Sequence, residues 1–228
     1  LALSYVGKGT AALSSGGTTG SVVPPLPSGL SVGDLMVLIA TQRGNGYFYT
    51  PSGWTVRFHD QLYPTDNLHK LAIFYRFYQA GDGDPTLSWT GAGPNQTVIA
   101  QIFAFRGTST TNPIPDLGPN SGNASQQNIG PITGFTPTIN DGAVIVIGHK
   151  ADNWTGVGTL SGEGLTWVEI DEPSTTLGGD AGQVYDYALY SGSPPTITDK
   201  TFTVTGGASA TGAGKMFSIS PPVSTTRT

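Results

Sequence analysis

Three consecutive aromatic residues, Tyr47-Phe48-Tyr49, follow Asn45 in a loop that also carries Gly44 and Gly46. Aromatic faces stack on the C–H face of a sugar ring, and an amide can satisfy the ring's hydroxyls. A second pairing of the same kind, Asn153-Trp154, occurs in the other half of the chain. The candidate glycan-binding residues are therefore Asn45, Tyr47, Phe48, Tyr49, Asn153 and Trp154. The competing reading is that these rings cap the end of the fold or bury against a neighbouring subunit.

Other chemistry finds less material. Asp82-Gly83-Asp84 suggests calcium, which takes clustered carboxylates, but two acids supply only part of the ~6–8 oxygen ligands required. Asp-Gly pairs are also ordinary hairpin turns, so no metal site is assigned to Asp82 and Asp84. The acidic group Glu169, Asp171 and Glu172 reads the same way. His59, His69 and His149 stand alone, without the spacing of a zinc or catalytic motif. The only glutamates are Glu163, Glu169 and Glu172, all in one short region, whereas glycoside hydrolysis needs two facing carboxylates. No Gly-x-Ser-x-Gly elbow occurs between a strand and a helix, and the glycines of 206–214 lack the lysine and helix of a phosphate loop. The sequence thus assigns no catalytic residue and no cofactor, and the expectation is a protein that is not an enzyme. Asn95, Asn123 and Asn153 each begin a glycosylation sequon, a match that arises freely in so Ser/Thr-rich a chain.

Composition narrows the partners. The formal net charge is -5 and no basic cluster occurs, so a nucleic-acid partner is not expected. Cysteine is absent, which removes thiolate metal sites and disulfide scaffolds. No run approaches the ~18 apolar residues of a membrane span, so membrane insertion is not expected either. Only 11% of the 228 residues are charged, against a typical ~25%. Gly, Thr, Ser, Pro and Asn take their place, and long helices cannot be built from that mixture.

The elements that must position these residues are strands. Gly33 to Gln42 is a short apolar run bounded by turn formers, the pattern of a strand buried on both faces. Asp141 to Lys150 echoes it. Four further echoes keep the same order: Gly53-Trp54-Thr55-Val56 with Gly164 to Val168, Ile73–Tyr78 with Val184–Tyr190, Thr86–Gly91 with Thr201–Gly206, and Ile102–Phe105 with Met216–Ile219. The spacing is 108 to 115 residues throughout. The fold expected is an all-β, jelly-roll-like antiparallel sandwich over residues 1–228, two pseudo-symmetric halves (1–106 and 117–220) packed on one core. Residues 107–131 read as a crossover and 221–228 as a tail, while residues 3–13 read as an edge strand open to pairing with a neighbour.

The motifs resemble a repeat of bacteriophage virion proteins and of secreted or surface proteins of bacteria. The resemblance rests on Gly33-Asp34-Leu35, the turn Pro51-Ser52-Gly53-Trp54-Thr55, the aromatic strand ending in Ala80-Gly81-Asp82, the end Ala104-Phe105-Arg106-Gly107, and the crossover Pro113-Ile114-Pro115-Asp116. It implies a β-sandwich appendage such as a capsid decoration, tail fibre, minor tail component or adhesive module, working in a virion or outside the cell. Its partners would be other virion or surface subunits in an oligomeric assembly, or a cell-surface glycan.

Overall fold

Alternation along β strands explains why two runs in this chain are apolar without interruption. In a computed structural model describing residues 2–15, 17–63, 68–91 and 96–222, each run is the central strand of a sheet covered on both faces. Residues 64–67, Asn95 of its sequon and most of the C-terminal tail lie outside the described residues. Among the described residues there is no helix.

The first half contributes β1 (Ser4–Lys8), β2 (Ala12–Ser15), β3 (Thr19–Val22), β4 (Leu35–Arg43) and β5 (Tyr47–Phe48). It continues with β6 (Thr55–Gln61), β7 (Lys70–Phe77), β8 (Leu87–Thr90) and β9 (Thr97–Arg106). The second half begins with β10 (Ser121–Gln126), β11 (Ile129–Ile132), β12 (Ala143–Lys150), β13 (Gly156–Val157) and β14 (Trp167–Asp171). It ends with β15 (Ser174–Thr175), β16 (Ala181–Leu189), β17 (Lys200–Phe202), β18 (Val204–Thr205) and β19 (Ala210–Ile219). The crossover expected over 107–131 therefore ends earlier than its polar sequence suggests, because β10 and β11 already belong to the second set of strands.

The large sheet of the first half runs β1-β9-β4-β7-β6, with β2 also on β9; that of the second runs β10-β19-β12-β16-β14, with β15 also on β16. The two orders correspond strand for strand, and the registers agree as well. Leu35 lies opposite Phe77 and Phe105; its echo Ala143 lies opposite Leu189 and Ile219. A three-stranded outer sheet, β3-β8-β5, covers the first half, and the pairs β11-β17 and β13-β18 cover the second.

Burial follows the pleat. On β4, Leu35, Val37 and Ile39 join Ile145, Ile147, Tyr185 and Phe217 in a core shared by both halves, while Met36, Leu38 and Ala40 face Phe48, Leu87 and Trp89 under the outer sheet. On β12, Val144 and Val146 face a third cluster with Trp154, Trp167 and Phe202. The shared interior is present, and each half adds an outer core of its own. Each fully buried Leu, Ile or Phe contributes ~1.5–3 kcal/mol, so three such clusters dominate the stability of a chain with so few charges.

The motif residues are internal clips. Arg106 donates from Nε and Nη2 to Asp34 at 2.8 and 2.7 Å, tying the start of β4 to the end of β9. Burial alone would raise the Asp34 carboxyl, but the bonds from Arg106 and the Ser31 amide hold it below its ordinary range. Gly53, at φ 78°, lets Arg76 lie over the turn where Trp54 N donates to Pro51 O; Arg76 in turn donates to Asp82 at 2.5 Å. Arg57 donates to the carbonyls of Ile114 and Pro115 at 2.6 and 2.8 Å, fastening the crossover.

The margins of the large sheets are irregular. Pairing shifts register between Tyr5 and Gly7 on β1, Val56 and Phe58 on β6, Asn123 and Gln126 on β10, and Glu169 and Asp171 on β14. The ladders of β4 with β7 and β9, and of β12 with β16 and β19, run without a break. Bulged edges twist away from an incoming strand; within residues 3–13 this applies to β1, while the ladder of β2 with β9 is regular.

Candidate functional site: an aromatic rim on the outer sheet

The rim is built on β5, a two-residue strand on the margin of the outer sheet. Tyr47 lies opposite Thr90 and Phe48 opposite Trp89, and Tyr49 N continues the ladder to Ser88 O at 2.9 Å. Gly46 allows this approach, since a Cβ there would stand 1.8 Å from the Thr90 carbonyl oxygen. Alternation then sends Phe48 inward, where it is fully buried, and leaves Tyr47 and Tyr49 51% and 53% exposed. Their rings meet edge to face with centroids 5.5 Å apart.

His59 on β6 supports them, its ring 4.2 Å from that of Tyr47. Its Nε2 accepts from Phe48 N at 3.3 Å, which requires a lone pair on that nitrogen. Burial, followed by nearby Lys70, lowers its pKa, so the imidazole is neutral with its proton on Nδ1. Val56, half-exposed, shares the outward face of β6, because it lies opposite Phe74 and His59 opposite Ala72, both outer-core residues. Exposed Asn45 adds an amide to a surface that can stack on a ring or an apolar side chain and exchange hydrogen bonds at its rim.

Three of the six glycan candidates therefore stand in the rim: Asn45, Tyr47 and Tyr49. Phe48 and Trp154 are corrections, since both rings are packed inside and have no face to offer. Trp154 is 6% exposed in the outer core of the second half and donates from Nε1 to Glu172 O. It lies so close to β16 that a Cβ on Gly182 would stand 2.3 Å from its ring. Asn153 is half-buried beside Gly207. The two halves do not form matching aromatic loops.

No known family, curated protein or solved structure matches this chain.

Asp82 is held by Arg76 and by Gln79 N, and Asp84 accepts from Leu26 N at 2.8 Å; the first carboxylate closes its own turn and the second ties that turn to the proline-rich connector. Among the described residues no three His, Cys, Asp or Glu side chains gather to hold a metal. Lys200, nearly buried, pairs with Glu163 and donates to Ser161 O at 2.7 Å. Burial would raise the Glu163 carboxyl, but Lys200 and Thr198 hold it down, so this pair staples two loops along an open polar cleft of 570 Å³. Asp171 takes Lys8 at 2.7 Å and Gln101 at 2.5 Å from the opposite half.

Two features escaped the sequence reading altogether. Asp186 is fully buried on β16, one oxygen accepting from Leu160 N at 2.6 Å and the other unbonded. His69 and His149, isolated in sequence, meet in the shared core with Nδ1 atoms 2.7 Å apart. No local spacing could reveal either, because both depend on which strands become neighbours.

Proposed function

We propose that this protein is a non-enzymatic structural and interaction protein of a virion or cell surface, a decoration, fibre or minor tail component. On this reading it works by docking a neighbouring subunit against the aromatic rim. The observation that carries this reading is the exposed Tyr47–Tyr49 pair on a chain whose charged side chains largely serve as internal clips. Half-exposed, pre-packed tyrosines supply contact area at little entropic cost. The motif resemblance supplies the setting, and the bulged margins favour face and loop contacts over strand pairing.

A second reading is a carbohydrate-binding module or adhesin using the same rim, favoured by Asn45 and the neutral His59 beside the rings. One variant, Tyr47→Ala with Tyr49→Ala, tests both. Loss of self-association or of incorporation into the parent particle, with glycan-array signal absent from the parent chain, supports docking. Loss of a glycan signal that the parent chain shows supports the second reading. A variant that still assembles and still binds removes the rim from either role.

A further inference from the structure

The shared core changes character at one end. His69, just before β7, and Thr41 on β4 face inward from one sheet; His149 on β12, Gln183 on β16 and Thr211 on β19 face them from the other. Thr41, His69, His149 and Gln183 are fully buried. The imidazoles meet nearly perpendicular, ring centroids 4.9 Å apart, with their Nδ1 atoms converging at 2.7 Å. His69 Nε2 lies 3.0 Å from Thr211 Oγ1. Gln183, directly across the ladder from His149, makes no hydrogen bond through Oε1 or Nε2, and Thr41 Oγ1 makes none either. A buried polar atom left unbonded costs stability until something pairs with it.

The internal repeat provides a control. In the first half, Thr41 is flanked across its ladders by Leu71 and Ile99; the equivalent position in the second half is His149, flanked by Gln183 and Ala213. At this end one copy thus presents a threonine between two aliphatic side chains. In the other, an imidazole, an amide and an alanine stand at the positions of Thr41, Leu71 and Ile99.

We propose that this polar end of the core binds one borderline divalent transition-metal ion, of the zinc or nickel class, through His69 Nδ1 and His149 Nδ1 with the Gln183 amide oxygen beside them. Imidazole nitrogen selects such ions over calcium or magnesium, which take oxygen ligands. Tetrahedral coordination at ~2.0 Å bonds sets two nitrogens roughly 3.3 Å apart, so the rings part by about 0.6 Å to admit the ion. With the ion bound, Thr211 Oγ1 can accept from His69 Nε2–H, the tautomer that leaves the Nδ1 lone pair to the ion. In the metal-free protein one proton lies between the two Nδ1 atoms; with the ion bound each ring carries its proton on Nε2. The ion would join the two halves through their common interior, independently of the rim.

The test is titration of the intact chain, stripped with a chelator, with zinc, nickel and cobalt chlorides. Expected are one ion per chain, two imidazole nitrogens in its shell by X-ray absorption, and a melting temperature that rises with metal concentration. His149→Gln should weaken binding roughly a hundredfold or more, and His59→Gln should leave it unchanged. His149→Thr with Gln183→Leu copies the first half, so it should fold at least as well as the parent while losing the ion. Failure of all three metals to bind the unmodified chain, a shell with fewer than two imidazoles, or binding that depends on His59 overturns the proposal.

Discussion

Asp186→Asn should stabilise the protein at neutral pH. The parent carboxylate is buried on β16 among Val146, Glu169 and the loop at Leu160. Burial first, then the charges of Glu169 and Glu172, push its pKa up to about 6 from 3.8, against the bond from Leu160 N. Because the folded pKa lies above the unfolded one, Asp186 costs nothing below about pH 3.8; folding stability then falls as pH rises to about 6, and the loss is complete above it. At ~1.4 kcal/mol per pK unit, the gap of about two units corresponds to about 3 kcal/mol at most. The first-half counterpart, Phe74, carries no such burden. Asparagine keeps an oxygen for Leu160 N and removes the charge. Chemical denaturation of both proteins from pH 4 to pH 8 should show a stability difference in favour of the variant that grows with pH to roughly 2–3 kcal/mol. A difference that stays flat across this range, or an asparagine variant less stable at pH 8, refutes the reasoning.

The other expectations follow the same contacts. Asp34→Asn should lower the melting temperature at pH 7 through loss of the Arg106 clip; since the folded Asp34 pKa is depressed, the deficit should shrink as acid protonates the parent carboxylate, checked by melts at pH 7 and pH 3. Trp154→Ala should cost ~3–5 kcal/mol in denaturation without altering any rim-dependent binding. Gly182→Ala, whose new methyl would collide with the Trp154 ring, should cost about 1–3 kcal/mol, measurable by the same method. Tyr47→Ala with Tyr49→Ala should leave the denaturation midpoint almost unmoved, because half of each ring already faces water.

The strand core was legible because burial on two faces leaves a mark that no surface strand leaves. Leu35 to Ala40 must satisfy the shared core and the outer core at once, so every position is apolar. The echoes of Ile73–Tyr78 and Ile102–Phe105 marked the strands that flank β4 and β12, but not their pairing, which comes from the structure. The bulges were not legible: Arg57 and Ile170 occupy equivalent bulged positions yet share no property in sequence. Trp154 misled because a tryptophan beside a strand end looks the same whether it turns outward or folds back over Gly182. The inter-half contacts, Arg57 to the crossover and His69 to His149, lie beyond any sequence pattern, since they depend on how two separately readable halves face one another.

The four kinked margins carry a consequence for crowding. A sandwich with straight, unguarded borders would zip into filaments wherever many copies stand side by side. The register breaks on β1, β6, β10 and β14 interrupt that route along the large sheets, so copies held close together would be steered toward meeting through faces and loops.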